Sequence, residues 1–388
     1  MFPPFVNLGT RLEFDYRGEL QVAPGQLLLF GAQDQNETLR TNSSSTSSPS
    51  GPPFFNDETL FITNAERRND AGWLQLQSQL SQQFYLVSNV RYDANEDFGD
   101  HTTFRIAPVY LVPITGTKLL ASYGTGFKAP PLEDLFVNFL PSFLANPNLK
   151  PEESTGWDVG FEQPIANDSF RFGSTYFRND IRNLISTVLV TETPFVESLA
   201  NIGTASTFGF ENFAAWQVNS NLNLRADYTY TVAKADSTNT CPDIFGEIAP
   251  PCSGQQLVRR PKNKASLTVN WQATDRLSIS STLLYVGPWW DYARQAPGPY
   301  VKAPGFTTLN LAANYALRDD VTLFARIDNL FNKQYEDPLG FLRPGFGIYG
   351  GIRLTAGGSP SSGLPNIIPA ANTTPVAPTP SPRSQGTM

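Results

Sequence analysis

The chain has 388 residues, a net charge of −7 and a pI of about 4.9, which argues against nucleic acid as a partner because a basic patch is the footprint that such binding needs. Apolar residues make up 40 % of the chain and mean hydropathy is −0.25; no run of 18 apolar residues occurs, which excludes helical membrane spans. A transmembrane barrel stays open, since its strands place apolar residues at every second position and look soluble on average.

The opening MFPPFVNLGT lacks a basic region, an apolar core and a small-residue cleavage site, so it does not read as a signal peptide. From there on period two dominates. Over 11–22, Leu12, Phe14, Tyr16, Leu20 and Val22 fall on one face, and Arg11, Glu13, Asp15, Arg17, Glu19 and Gln21 on the other. Residues 42–53, NSSSTSSPSGPP, are low-complexity and read as a loop tip. Over 84–94, Phe84, Leu86, Val90, Tyr92 and Ala94 oppose Tyr85, Asn89, Arg91 and Asp93. The pattern returns over 222–232, with Leu222, Leu224, Ala226, Tyr228 and Tyr230 against Asn223, Arg225, Asp227 and Thr229. It returns again over 321–329, with Val321, Leu323, Ala325 and Ile327 against Thr322, Arg326 and Asp328. Counting weaker stretches, we expect about fifteen strands of roughly 9–13 residues, a length that suits a tilted membrane strand.

Connections alternate in length. Short turns are expected at Ala23-Pro24-Gly25, Ser81 to Gln83, Pro113 to Gly116, Ala166 to Asp168, Asn219-Ser220, Thr274-Asp275 and Arg318 to Asp320. Long loops are expected near 41–70, 127–152, 183–202, 235–260, 290–304 and 333–344. Short turns at one end and long loops at the other are the topology of bacterial outer-membrane barrels, whereas a soluble sandwich has turns every 8–12 residues without that asymmetry. The charged faces are then the lumen, where Arg and Asp are tolerated and are expected to pair across strands, because Arg or Lys on the lipid face at mid-membrane costs about 2–4 kcal/mol. An aromatic content of 12 %, with 28 Phe and 14 Tyr, suits the girdles of such barrels. Residues 357–388, rich in Pro and Ser, read as a disordered tail behind a strand-rich domain spanning 1–356.

The most specific passage runs from Lys118 to Trp157. A strand-like run ends at Gly124 and Gly126, followed by Phe127-Lys128-Ala129-Pro130 and then by Asn146-Pro147-Asn148-Leu149-Lys150-Pro151-Glu152. Near the end stands Asp328-Asn329-Leu330-Phe331-Asn332-Lys333-Gln334-Tyr335. In order and spacing these stretches resemble the boxes of the TonB-dependent outer-membrane receptors, especially their siderophore and cobalamin branches. The resemblance implies an all-β, antiparallel transmembrane barrel, in which this chain supplies about 15 strands of a total of about 22. It implies a place in the bacterial outer membrane, contact with membrane lipid, and import of a ferric siderophore or a cobalamin-like nutrient. The plug domain and energy-coupling segment of that family have no counterpart in this sequence, so engagement of the TonB complex is expected only if a plug is supplied elsewhere. Two other readings stay open: a passive porin, since porins close with about 16–18 strands, and a receptor-gene remnant without function of its own. A soluble β-rich binding protein is a third; it requires the Leu222, Leu224, Tyr228 and Tyr230 face to be buried against a second sheet.

Ligand-contacting candidates are loop residues: Phe127 in the first box, Phe139 and Phe143 deeper in the same loop, and Trp290, Tyr292 and Arg294 in a later one. Aromatic side chains grip planar or catecholate ligands by stacking. The same residues also fit a second reading, with Phe127 packing its loop on the rim and Trp289-Trp290 in the interfacial girdle. Cys241 and Cys252 share one predicted outer loop and are candidates for a local disulfide in an oxidising compartment. Haem receptors of the family carry a histidine between the two boxes, but none lies between Phe127 and Asn146; His101, in a predicted loop, is the only histidine. So few His and Cys make a zinc site improbable. No nucleophile elbow, P-loop or dinucleotide fingerprint is present, so we expect no catalytic residues, no metal site and no cofactor.

Overall fold

The computed structural model describes residues 6–45, 59–138, 143–192, 195–238, 243–244, 247–248, 254–292 and 300–355. The tail from 357 onward lies outside them. In chain order the elements begin with β1 (Val6–Ala23), β2 (Gln26–Ser45), β3 (Thr59–Gln79), β4 (Phe84–Asn95), β5 (His101–Leu111) and β6 (Lys118–Lys128). A five-residue helix α1 (Leu132–Phe136) and the two-residue β7 (Phe143–Leu144) precede β8 (Glu152–Ile165), β9 (Phe170–Glu192), β10 (Phe195–Asn219) and β11 (Leu222–Thr238). Next come the short β12 (Asp243–Ile244) and β13 (Glu247–Ile248), then β14 (Asn263–Thr274) and β15 (Leu277–Val286). The hairpin β16 (Trp289–Tyr292) and β17 (Tyr300–Ala303) leads to β18 (Phe306–Arg318), β19 (Val321–Asp328) and β20 (Gly347–Leu354).

Fifteen of these strands form one continuous antiparallel meander from β1 to β20, each pairing with its neighbour along the chain once the short strands are set aside. β7 joins the same sheet by parallel pairing with β10. At the end with short turns the connections are too short for a crossover, so the strands they join pair side by side. Gly25 turns β1 into β2 at a φ of +73°, and Ser81 Oγ accepts the Gln83 and Phe84 N–H groups at the next turn of this kind. Close approach also selects glycine at Gly209, where a Cβ would stand 1.8 Å from the Tyr230 carbonyl oxygen on β11.

The register carries the alternating pattern across the sheet in rows. Tyr16, Ala32, Gly72 and Tyr92 stand opposite one another on β1 to β4, as do Ala226, Leu267, Leu283 and Leu309 on β11, β14, β15 and β18. The intervening rows are polar: Asp15, Gln33, Ala71, Asp93 and His101. In that polar face Glu13 accepts from Gln33, Arg91 donates to Gln33 at 2.6 Å and to Asp93 at 2.8 Å, and Asn69 donates to Asp93 at 3.0 Å. On the other face large apolar side chains stand uncovered. Phe14 is 65 % exposed, Ile348 67 % and Leu354 74 %. Tyr228, which a sandwich would bury, is 42 % exposed, and no second sheet of comparable size exists among the described residues. Uncovered apolar area costs about 25 cal/mol per Å² in water, so this face requires a non-aqueous surrounding. That removes the soluble reading.

Several expectations need correction. Several strands run past 9–13 residues, to 23 in β9 and 25 in β10, whereas β4, β5, β6, β14, β15 and β18 keep to it. Much of the loops expected at 41–70 and 183–202 is ladder, because β2 and β3 pair from Gln26↔Ser78 to Ser45↔Thr59, and β9 and β10 pair out to Glu192↔Phe195. Backbone donors and acceptors there satisfy one another past the apolar band. His101 opens β5 rather than sitting in a loop. The lumen-type charges pair mostly along one strand, two residues apart, as in Arg11–Glu13, Arg91–Asp93, Arg225–Asp227 and Arg326–Asp328. Residues i and i+2 share a face, so a long arginine reaches its carboxylate without crossing the ladder.

Leu267, 41 % exposed on the apolar face, and its neighbour Thr268 on the polar face test this assignment. Leu267→Arg should cost about 2–4 kcal/mol in denaturant unfolding from lipid, and Thr268→Arg less than about 1. Equal costs would refute the assignment of faces.

Candidate functional site

Two clusters occupy the end of the sheet that carries the long connections. The first is built from the box after β6. The chain leaves β6 through Pro130 and Pro131, which cannot continue a ladder, and forms α1. Leu132 and Val137 pack on Leu39 of β2, with Ala65 of β3 and Phe136 alongside. Arg67 of β3, almost fully buried, holds this loop from below: one guanidinium nitrogen donates to the Pro130 carbonyl at 2.6 Å and the other to Glu37 at 2.6 Å. Phe127 stacks on His101 with centroids 4.6 Å apart and planes at 24°; Phe98 meets both edge-on, and the Arg67 guanidinium lies 5.8 Å over the Phe98 ring.

The second box closes the same loop. Asn146 donates from its side chain to Leu199 O on β10 at 2.8 Å, and its backbone N–H donates to Asp134 O at 3.0 Å. Asn201 clamps Lys150 in both directions, accepting from its N–H and donating to its carbonyl, each at 2.8 Å. Glu152 accepts the Ile185 N–H at 2.9 Å and pairs with Lys128 at 3.2 Å, which ties one box to the other. These contacts shape backbone, as the packing reading of the boxes expects. Burial pushes the Asp134 carboxyl above the usual range, the Glu133 and Glu152 charges add to this, and Lys128 works against it.

The other cluster gathers three later segments. Val286, Trp289, Ala303 and Phe306 form a buried core, with Leu284, Tyr335 and Leu339 packed against it. Tyr335 stacks on Phe306 at 3.9 Å. Asp291 is wholly buried; one oxygen accepts from Arg259 Nε at 3.0 Å and the other from the Leu339 N–H at 3.0 Å. Asn329 and Asn332, both with positive φ, explain the third box: Asn329 bonds Lys333 N–H and C=O at 2.9 Å, and Asn332 accepts the Phe346 N–H at 2.9 Å. Asparagine tolerates that left-handed backbone and bonds it locally.

Of the sequence-derived candidates, Phe127 lies in the first cluster, half-buried against His101. Phe143 is half-buried in β7, beside β10. Trp290 is half-buried in the second cluster, its carbonyl accepting from Arg259 N–H at 2.7 Å, and Tyr292 pairs with Tyr300 at the loop end of the hairpin. Phe139, Arg294, Cys241 and Cys252 lie outside the described residues. Sequence reasoning passed over Arg67 and Asp291, and it noted His101 only as the one histidine, in a predicted loop. The Trp-Trp-Asp-Tyr run was the one available hint.

Arg67→Met should free the loop over 129–137 and leave Glu37 without its cation, a loss of about 1.5–3 kcal/mol read as faster protease cleavage there. Unchanged cleavage would count against the tie. Because the folded loop disfavours ionised Asp134, the stability of that loop falls as pH rises from the ordinary carboxylate range through the raised value. Asp134→Asn should therefore slow cleavage near neutral pH and make no difference in acid; a reversed order would contradict the burial argument.

Residues 5–330 match the family described as TonB dependent receptor-like, beta-barrel. The iron-regulated outer membrane virulence protein of Vibrio cholerae is 26 % identical over 324 residues, covering 79 % of this chain and 46 % of that protein. Among solved structures, the Pseudomonas aeruginosa ferric enterobactin receptor PfeA superposes with a TM-score of 0.67 at 18 % identity, over 90 % of this chain and 54 % of that one. The copper transporter OprC gives 0.68 at 17 % identity, over 90 % and 58 %. These likenesses show the fold, and the chain spans about half the length of the relatives it matches. With its uncovered apolar face, its polar opposite face and the family match over residues 5–330, the chain belongs to the β-barrel family of TonB-dependent outer-membrane receptors.

Proposed function

We propose that this chain is the barrel portion of an outer-membrane receptor that imports a ferric siderophore, with a cobalamin-like nutrient as the second cargo class. The observation that carries the reading is the loop between the two boxes, tied down on the polar face by Arg67, Glu152 and Asn146. A pore left open for diffusion gains nothing from a loop fastened on its inner face, whereas a receptor needs a fixed surface at its mouth. Its relatives point to iron: an iron-regulated protein in Vibrio cholerae and ferric enterobactin receptors in Pseudomonas aeruginosa. The copper transporter among the structural neighbours tempers the choice of cargo without changing the class of activity. Phe127, Phe143 and Trp290 are the contacts we assign, with Phe139, Tyr292 and Arg294 completing the surface. In this reading transport requires a plug together with the TonB complex. Receptors of this family bind and translocate, and we assign this chain no catalytic step.

Titration of the lipid-reconstituted chain by tryptophan fluorescence separates the cargoes. A ferric catecholate siderophore should quench saturably and cobalamin should do so at higher concentration. Alanine at Phe127 or Trp290 should weaken binding about tenfold, equivalent to about 1.4 kcal/mol. Steady conductance in planar bilayers without saturable binding would instead establish a passive channel.

A further inference from the structure

The second cluster at the loop end contains an arginine whose hydrogen bonds are only half spent. Val286 and Phe306, paired across β15 and β18, lie on the face opposite the apolar Leu283 and Leu309, so the cluster stands on the lumen side. Arg259 enters it from the connection between β13 and β14. Its backbone N–H donates to the Trp290 carbonyl at 2.7 Å, and its Nε donates to Asp291 at 3.0 Å. A guanidinium is planar, so a bond at Nε together with a fastened backbone sets the direction of the whole fork. Asp291 is wholly buried, and its second oxygen is held by the Leu339 N–H at 3.0 Å.

The outer half of that guanidinium is unused. The Arg259 side chain is 47 % exposed, whereas the carboxylate that anchors it is 0 % exposed. Among the described residues, no acceptor bonds either terminal nitrogen of Arg259. Arg67 differs on this point, since both of its terminal nitrogens are taken, by Glu37 and by the Pro130 carbonyl. The surroundings are cationic: Arg259-Arg260-Pro261-Lys262-Asn263-Lys264 holds four cations and no acid, in a chain of net charge −7. Arg260, Lys262 and Lys264 are exposed and form no ion pair among the described residues. Asp291 offsets the charge of Arg259, so these three supply the positive field and Arg259 supplies direction. A run of charges alone is a solvated surface. The feature that sets this place apart is a donor fork fixed by a carboxylate that water does not reach.

We propose that Arg259 is a specificity-determining contact that takes two adjacent anionic oxygens of the cargo on its terminal fork, and that Asp291 is the residue that positions it. Arginine matches such oxygen pairs bidentately, and charge assistance makes those bonds short and strong. Three catecholates, each doubly charged, make a ferric complex a trianion. Three hydroxamates, each singly charged, leave it neutral around the same metal. The site therefore chooses between ferric chelates by charge and by paired oxygens, which an aromatic surface alone does not. Trp290, already assigned as a contact, is fastened to the same arginine through its carbonyl. The inference rests on the siderophore reading above and names the residues that discriminate within that class.

The test titrates the full chain in lipid vesicles with a ferric tricatecholate and, separately, with a neutral ferric trihydroxamate, counting the iron retained. The wild type should take the tricatecholate about tenfold more tightly than the neutral complex. Arg259→Gln, which keeps an amide donor for Asp291, should weaken tricatecholate binding about tenfold and leave the trihydroxamate unchanged. Arg259→Lys should stay within about twofold of Arg259→Gln, because a point charge does not replace the fork. Asp291→Asn still offers an oxygen to the Leu339 N–H. It should cost several-fold on its own and nothing further in the Arg259→Gln background, since the two residues act through one contact. A purely structural role for Asp291 would lower both chelates alike and add to the Arg259 loss. Equal losses for the two chelates, full recovery by lysine, or additive losses would each overturn the inference and leave the siderophore reading standing. Retention of neither chelate by the wild type would overturn both. Should Asp291→Asn fail to insert, the two Arg259 variants decide the matter through the ratio between chelates.

Discussion

The whole structure depends on one constraint: a backbone that crosses hydrocarbon must pair every N–H and C=O within the protein, because the surroundings offer no partner. A sheet meets that demand along its ladders and then separates its two faces by the pleat. Everything else follows from the separation. Leu267 and Thr268 are neighbours in sequence, yet one looks into lipid and the other into water-lined space. The register rows, running unbroken from Tyr16 to Tyr92 and from Ala226 to Leu309, show how strictly alternation is kept once one face must be apolar.

The loop end answers to a different physics. There the backbone is in reach of water, and buried polar groups do the positioning. Arg67 and Asp291 are each nearly or wholly sequestered, and each spends its hydrogen bonds on backbone groups of a loop as well as on an opposite charge. Pairing and hydrogen bonding together offset the cost of desolvating a charge, which neither achieves alone. Two separate segments thereby become fixed surfaces beside the aromatic residues that we assign to ligand contact. The boxes that identify the family act here chiefly as architecture: Asn146, Asn329 and Asn332 shape the chain, and Glu152 closes a strand start.

What was legible in the sequence was local and periodic. Fifteen strands could be counted because each carries its own alternation, and turns such as Ala23-Pro24-Gly25 announce themselves by the residues they require. The long hairpins were not legible, since Asn42 to Ser45 carry no apolar alternation of their own although they pair with Thr59 to Ile62. The site was half legible. The aromatic residues and boxes stand out, but their partners do not: Arg67 lies 63 positions from Pro130, and Asp291 lies 48 from Leu339. Nothing near His101 in the chain foretells that Phe127 will stack on it.

The sequence by itself determined the secondary structure, the identity of the two faces and the family, because a two-residue period and a few turn and box residues are properties of short segments. Only the tertiary structure decided which polar side chains hold the loops and which aromatics meet. Those features depend on register between distant segments, and register is settled by the summed pairing of whole strands rather than by any residue that takes part in it.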